Sequence, residues 1–175
     1  VLVLEKHYVP GGWCHSFTLQ GHRFSPGVHY IGELQPGGIM RRIYEGLGVS
    51  QDMAFFELNP QGFDHTLIAG QRFDIPRGRE RFAEALAARF PKEAEGAKSY
   101  LNLVQNVADE LSAAMSFSGV TDILKAPLSL RNTLRYGLGS LDRVMSSFVE
   151  DPYLKAILSI QCGDHGLAPA RVPFA

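Results

Sequence analysis

The sequence predicts an α/β fold, or an α+β arrangement if the chain is only a fragment of a larger domain. Residues 1–4 are apolar without alternation, as in a parallel strand that is covered on both faces. From residue 53 to 75 the composition turns to Phe, Leu, Ile and Thr, with turn residues at 59–60 and 69–71. That pattern predicts an antiparallel hairpin or a small three-stranded sheet. Beyond Pro76 the apolar residues recur at helical spacing.

The elements before the predicted sheet are short. Between residues 17 and 32, apolar residues stand among glycines and prolines, which indicates short extended segments and loops. After Gly37-Gly38, a stripe of apolar residues from Ile39 to Leu47 has helical spacing, and Gly48 follows it. A glycine directly after such a stripe is typical of a helix end, so we predict one short helix here.

The elements after Pro76 are helices in our interpretation. Apolar stripes over 82–90 and 97–115 predict two amphipathic helices, and a further stripe covers 141–148. We expect Gly119 and Pro127 to break the helical pattern between them. Asp151-Pro152 is a good N-cap and first-turn pair, and it predicts a last helix through Ile160.

Composition limits the classes of function. The 175 residues are 45% apolar and 20% charged, with a net charge of −1, which is typical of a globular protein and gives no basic field for nucleic acid. Cys14 and Cys162 are too few for a disulfide framework, so we expect free thiols and a cytoplasmic location. No run approaches the roughly 20 apolar residues that span a bilayer.

An acidic residue follows the opening apolar segment. In a dinucleotide-binding βαβ unit, an acidic residue at the end of the second strand accepts hydrogen bonds from the ribose hydroxyls. Glu5 stands where this second strand would end. The first strand and its G-x-G-x-x-G loop would then precede Val1, and the chain would be a fragment. The alternative is a charge that merely ends a buried strand.

Gly11 and Gly12 come next, after a short polar loop. A glycine pair lets the backbone approach a bulky ligand and exposes amide donors to a phosphate or a flavin edge. A plain turn is the alternative. The position of the pair between Glu5 and His15-Ser16 favours ligand binding.

The run VLVLEKHYVPGGWCHSFTLQGHRFSPGVHYIG resembles a conserved block of flavin-dependent oxidoreductases, in which a strand ends in Glu, a Gly-Gly turn follows, and F-x-x-G-x-H comes later. The likeness is greatest to the phytoene desaturase, carotenoid isomerase and retinol saturase group. The run DPYLKAILSIQCGDHGLAPARVPF also resembles a segment of that group. The resemblance implies a partial Rossmann-type FAD-binding domain over residues 1–35. Residues 36–175 would form a substrate or cap region, a small antiparallel sheet followed by helices.

The resemblance also implies roles for individual residues. Glu5 would bind the adenosine ribose of FAD. His29 would lie near the isoalloxazine ring, where a neutral imidazole could position the ring or handle a proton. A histidine satisfied within its own loop is the alternative. The residues implied to contact the pyrophosphate or ribityl side are Gly11, Gly12, His15 and Ser16.

The implied substrate is a conjugated isoprenoid, a carotenoid- or retinoid-like polyene that is desaturated, saturated or isomerised. The apolar residues implied to line its tunnel are Met115, Phe117, Met145 and Phe148, with plain core packing as the alternative for each. A polyene is insoluble in water, so we also expect peripheral contact with a membrane. The apolar edge of residues 1–4 favours a homo-oligomer.

Two other functions and a metal site compete with this interpretation. An amine-oxidase-like flavoprotein would share Glu5 and the glycine pair, and a non-catalytic helical module would bind a lipid or a protein partner. His15, His22 and His29 recur every seven residues, but the glycines and prolines between them argue against a helix. Residues 162–165 offer sulfur, oxygen and nitrogen without a zinc spacing. We expect no metal.

Overall fold

The computed structural model describes residues 2–175, apart from the side chains of residues 120–123, 125 and 165. The chain divides into two compact units, Val1–Phe56 and Glu57–Ala175. This division follows packing. The boundary predicted after residue 35 divides the cofactor-binding region from the substrate region, and it stays a prediction.

The first unit contains a two-stranded hairpin and a helix. Strands β1 (Phe17–Leu19) and β2 (His22–Phe24) are antiparallel. The turn residues Gln20-Gly21 have φ values of 49° and 80°, as a type I′ hairpin turn requires. Helix α1 (Ile39–Gly46) follows, and Gly48 with a φ of 72° comes just after its end. The predicted short helix and its glycine stop are therefore confirmed.

The opening residues form no strand. Leu2, Val3 and Leu4 belong to no helix or strand, and each is at least 80% exposed. The parallel strand predicted here is wrong for the described residues, in which both sheets are two-stranded and antiparallel. The physical reason is that no described strand lies beside this segment, so its backbone groups gain no sheet partners and its side chains gain no cover.

The second unit begins with the predicted hairpin and continues as helices. Strands β3 (Asp64–Ile68) and β4 (Gln71–Ile75) are antiparallel, with the turn at Ala69-Gly70. Residues 53–58 form no strand, so no third strand joins this sheet in the part of the chain that the structure describes. The helices are α2 (Arg79–Arg89), α3 (Ala94–Ala114), α4 (Val120–Ser129), α5 (Arg131–Tyr136), α6 (Leu141–Met145) and α7 (Pro152–Leu158).

The predicted helices are present, although α6 ends at Met145 and α7 at Leu158, before their predicted ends, and the predicted break at Pro127 is wrong. Pro127 lies inside α4, in its last turn. A proline removes one backbone donor and crowds the preceding turn, and α4 extends only two residues beyond it. The N-cap prediction is confirmed, because the Asp151 carboxylate accepts hydrogen bonds from the N–H groups of Tyr153 and Leu154 at 2.9 and 3.0 Å.

The core of the second unit lies between the hairpin, α2, α3, α6 and α7. Its most buried members are Leu86, Met145, Leu154 and Ile157, each at most 1% exposed. Each such side chain contributes about 1.5–3 kcal/mol of hydrophobic free energy. Gly96 permits α3 to approach this core closely, because a β-carbon there would collide with the carbonyl oxygen of Phe148.

Two glutamates join segments that are distant in sequence. The Glu93 carboxylate accepts hydrogen bonds from the N–H groups of Glu150 and Asp151 at 3.1 and 2.9 Å. The Glu110 carboxylate on α3 accepts backbone hydrogen bonds from Asn132 and Thr133 at 3.0 and 2.8 Å. It also accepts hydrogen bonds from the side chains of both residues. Glu110 thus caps the first turn of α5 from a neighbouring helix.

The charge state of Glu110 follows from these contacts. Desolvation raises the pKa of its carboxyl group, but the hydrogen bonds from Thr133 and Asn132 together outweigh this effect. They lower the pKa from 4.5 to about 2. The capping group is therefore ionised at neutral pH.

Both cysteines are free thiols, as predicted, and they differ in environment. Cys14 is exposed in the first unit, whereas Cys162 is buried in the second, where burial raises the pKa of its thiol. None of the described helices combines the length and the hydrophobicity that a membrane crossing needs.

Candidate functional site

The glycine pair forms a tight turn in the first unit. Gly11 and Gly12 have φ values of 111° and 52°, a region that glycine enters without steric cost. A 3₁₀ turn (Gly12–Cys14) follows directly. It is closed by the Cys14 N–H, which donates to the Gly11 carbonyl at 2.8 Å, and by the His15 N–H, which donates to the Gly12 carbonyl at 3.2 Å.

The Glu5 carboxylate lies against this turn. One of its oxygens accepts a hydrogen bond from the His7 N–H at 2.9 Å. The pKa of Glu5 is lowered first by this bond and further by the backbone N–H groups of the glycine pair, against the opposing effect of desolvation. Glu5 is therefore anionic beside the glycine turn. The backbone donors of this turn suit a carboxylate or a phosphate.

His15 packs over the same turn. Its Nδ1 lies 2.5 Å from the Gly12 carbonyl oxygen, and its ring centroid lies 4.5 Å from that of His7. A carbonyl oxygen can only accept, so Nδ1 carries the proton and Nε2 of a neutral ring is left as an acceptor. The structure thus brings together Glu5, His15 and both glycines of the sequence-predicted site.

Ser16 extends the site onto the hairpin. Its Oγ accepts a hydrogen bond from Nη2 of Arg23 at 3.2 Å, and Arg23 stands opposite Thr18 across β1 and β2. Sequence reasoning did not select Arg23. The available signal is that it is the first arginine of the chain and is followed by no other before Arg41. Its guanidinium adds a positive charge beside a residue expected to face the pyrophosphate.

A second loop returns to the glycine turn. A β-carbon on Gly27 would collide with the carbonyl oxygen of Trp13, so the backbone at residue 27 lies directly on the 3₁₀ turn. The Ser25 hydroxyl donates to the Val28 carbonyl at 2.7 Å and stabilises this loop. His29 follows two residues after Gly27 and is exposed. Its predicted place beside a flavin ring stays a prediction.

The four residues expected to line a substrate tunnel lie in different environments. Met145 is 1% exposed within the core, and Met115 is 90% exposed after the end of α3. Phe148 is half-buried, with its ring 6.1 Å from that of Tyr100, and Phe117 is half-buried after α3. None of the four lines the apolar cavity described next, and their role stays a prediction.

A cavity of about 320 Å³ lies elsewhere in the second unit. It is lined mainly by apolar residues of α3 and by residues 158–175. Tyr100 and Cys162 are the titratable groups on its wall, and burial raises the pKa of Tyr100 to about 12. Both groups are therefore neutral near pH 7.

Metal ligands do not gather in the part of the chain that the structure describes. No group of three or more His, Cys, Asp or Glu side chains is close enough there to hold an ion. His22 lies on strand β2, so His15, His22 and His29 do not share a helix. The side chain of His165 lies outside the described part.

A family model matches the part of the chain that contains the glycine turn. Residues 1–47 match the family described as NAD(P)-binding Rossmann-like domain. This part of the chain is therefore similar to NAD(P)-binding Rossmann-like domains.

The particular relatives are all-trans-retinol 13,14-reductases. The chain is 31% identical over 195 residues to the enzyme of Rattus norvegicus, 30% over 190 residues to that of Danio rerio, and 28% over 186 residues to that of Homo sapiens. Each alignment covers 100% of this chain and 30% of the relative. The chain is thus a homologue of these reductases and spans 30% of their length. The predicted resemblance to the retinol saturase group is confirmed. No solved structure is significantly similar to the chain.

Proposed function

We propose that the protein is a flavin-dependent oxidoreductase that acts on a conjugated isoprenoid, with a retinoid as the substrate. The observation that carries this proposal is similarity along the whole chain to all-trans-retinol 13,14-reductases. Those relatives are named for reduction of one double bond of a polyene. Reduction of a conjugated double bond is therefore the reaction we assign.

FAD is the proposed cofactor. The glycine turn suits a dinucleotide, because its backbone N–H groups help to lower the pKa of the neighbouring Glu5 carboxyl and can donate to phosphate oxygens. Glu5 would accept hydrogen bonds from the adenosine ribose hydroxyls, which leaves the amides of Gly11 and Gly12 to the pyrophosphate. When bound, the flavin supplies the hydride chemistry.

Three side chains would complete the contacts to the cofactor. The half-buried His15 ring has one nitrogen fixed on the Gly12 carbonyl, and its other nitrogen can accept a hydrogen bond. The Ser16 hydroxyl accepts from Arg23 and can donate its own proton to a phosphate oxygen. His29 would position the isoalloxazine ring or carry a proton near it.

The remaining parts of the proposal concern the surroundings of the enzyme. We propose a cytoplasmic protein that contacts a membrane peripherally, because a retinoid partitions into lipid. We also propose that the exposed apolar residues 2–4 favour self-association, since an uncovered apolar segment gains free energy when another copy covers it.

The test is anaerobic turnover by the longest natural form of the protein that contains this chain. The protein is reconstituted with FAD, reduced chemically, and mixed with all-trans-retinol. We expect loss of the polyene absorption band, a product two hydrogens heavier by mass spectrometry, and one flavin reoxidised per product. If oxidised flavin is instead reduced by primary or secondary amines while retinoids leave the reduced flavin unchanged, the amine-oxidase alternative replaces this proposal.

A further inference from the structure

The apolar cavity of the second unit has one wall on helix α3, and we name it the α3 cavity. Its volume of about 320 Å³ is at the lower end of the range for small-molecule sites. The rest of its wall comes from Leu141 and from residues within 158–162 and 172–175. The α3 residues on the wall recur at helical spacing and so share one face of the helix: Tyr100, Val104, Val107, Ala108 and Leu111.

The segment at residues 172–175 is fixed in place by backbone hydrogen bonds. The Leu141 N–H donates to the Val172 carbonyl at 2.9 Å, and the Phe174 N–H donates to the Gly139 carbonyl at 2.9 Å. Val172 itself is buried. This part of the wall is therefore ordered by contacts within the second unit.

Tyr100 brings a buried hydroxyl group to the α3 cavity. The residue is 3% exposed, and its ring meets the rings of Phe148 and Phe174 edge-on, each at a centroid distance of 6.1 Å. No described residue forms a hydrogen bond with the hydroxyl, although a buried tyrosine hydroxyl usually has a partner. A buried donor without a partner on the wall of a cavity indicates a ligand that brings an acceptor.

Two neighbouring polar groups on the wall are already engaged. The Ser159 hydroxyl donates to the Ala156 carbonyl at 3.3 Å, and the Gln161 amide donates to the Asp64 carboxylate at 3.1 Å. A buried water needs roughly two to four polar partners, so it would be poorly satisfied in this apolar space. A molecule that is mostly apolar and carries one acceptor suits the α3 cavity better.

We propose that the α3 cavity binds an uncharged, mainly apolar molecule through one oxygen atom, which accepts a hydrogen bond from the Tyr100 hydroxyl. The ligand is uncharged because no described side chain on the wall carries a charge that would offset one on the ligand. Burial raises the pKa of Tyr100 to about 12, so its hydroxyl keeps the proton and stays a donor near pH 7. The inference rests on the proposed function in naming the molecule: the terminal oxygen of retinol is such an acceptor on an apolar chain.

The test is equilibrium binding of all-trans-retinol, followed by its fluorescence, to the longest natural form of the protein that contains this chain. The flavin is kept oxidised, so that no retinol is reduced during the titration. Tyr100→Phe removes only the hydroxyl, and we expect the affinity for retinol to fall on the order of fivefold, the effect of one neutral hydrogen bond. The hydrocarbon analogue of retinol, which lacks the oxygen, should bind the variant and the wild type equally.

Two pairs of variants control the result. Tyr153→Phe should bind retinol like the wild type, because the Tyr153 hydroxyl is also buried without a described hydrogen-bond partner but does not line the α3 cavity. Ala108→Phe places a ring in the cavity from an exposed position on α3, so it should weaken binding of both ligands. Ala113→Phe, which is exposed on α3 and outside the cavity, should not.

Several outcomes would overturn the proposal: no binding of retinol, equal losses for Tyr100→Phe and Tyr153→Phe, the same loss for retinol and its hydrocarbon analogue, or unchanged binding by Ala108→Phe. Turnover with reduced flavin, measured separately, distinguishes this proposal from the proposed function. Binding of retinol that depends on Tyr100 without any reduction would contradict the proposed function alone. Reduction of retinol with unchanged affinity in Tyr100→Phe would contradict the role of the α3 cavity alone.

Discussion

The Glu5 carboxylate lies 3.7 Å from the point that a β-carbon on Gly12 would occupy. A side chain at residue 12 would therefore crowd the acidic group as well as strain the turn, whose φ of 52° favours glycine. The His7 N–H has the largest effect in lowering the pKa of Glu5, and the Gly11 and Gly12 N–H groups, which lower it further, are those proposed to receive a pyrophosphate. When Glu5 accepts hydrogen bonds from the adenosine ribose hydroxyls, it would leave the Gly11 and Gly12 amides to the pyrophosphate.

This relationship gives a prediction for nucleotide selectivity. Replacing Glu5 with Ala should weaken FAD binding about tenfold or more, because a lost hydrogen bond to a charged group costs roughly 1.5–3 kcal/mol. FMN has no adenosine ribose, so its affinity should not fall. Flavin fluorescence titrations with both ligands, in the longest natural form of the protein, measure the difference. The control is Glu45→Ala, which removes an exposed helix pair with Arg41. Equal losses of FAD and FMN affinity would mean that Glu5 is structural.

The cap made by Glu110 predicts a dependence of stability on pH. Its pKa in the folded protein is lowered from 4.5 to about 2, so its stabilising effect is complete above pH 4.5 and is lost as the pH falls toward 2. We expect Glu110→Gln to lower the free energy of unfolding by about 1–2 kcal/mol near neutral pH. The difference from the wild type should vanish near pH 2.

Denaturant unfolding of both proteins across that pH range measures the effect. Glu150→Gln serves as the control, because the Glu150 side chain is exposed and only its backbone N–H is bonded to Glu93. A constant difference between wild type and Glu110→Gln at all pH values would show that the ionised carboxylate is not the capping group.

The close approach at Gly96 predicts a steric cost. Gly96→Ala should destabilise the second unit by about 1–3 kcal/mol, because the added methyl group meets the Phe148 carbonyl oxygen and α3 must move. Elsewhere in a helix the same change would be favourable. Gly163→Ala is the control, since a β-carbon there meets nothing within 4 Å. Thermal unfolding of both variants separates the two cases, and a Gly96→Ala protein as stable as the wild type would contradict the packing described.

The sequence predicted the local elements well because their signals are local. Asp151 caps α7 from the position directly before the helix, and Gly48 stands just after the end of α1. Neither signal depends on distant parts of the chain. The prediction of a parallel strand at residues 1–4 was wrong because such a strand depends on other parts of the chain. An apolar run shows that a segment can be buried in a sheet, but the neighbouring strands decide whether it is.

The candidate site was predictable in part. Glu5, Gly11, Gly12 and His15 were found together because their order along the chain is itself a pattern. Arg23 was not found, because its contact with Ser16 arises from the register of a hairpin. The capping role of Glu110 was missed likewise, since Asn132 and Thr133 lie more than 20 residues away. Such contacts leave no periodic trace in the sequence.

The different surroundings of the two cysteines give the protein a reporter in each unit. An alkylating reagent needs a thiolate that it can reach, so Cys14 should react with the folded protein at an ordinary rate. Cys162 has a raised pKa and is 8% exposed, so it should react only when the second unit opens. The rate at which Cys162 is modified therefore measures how often the second unit opens, and no label or engineered residue is needed.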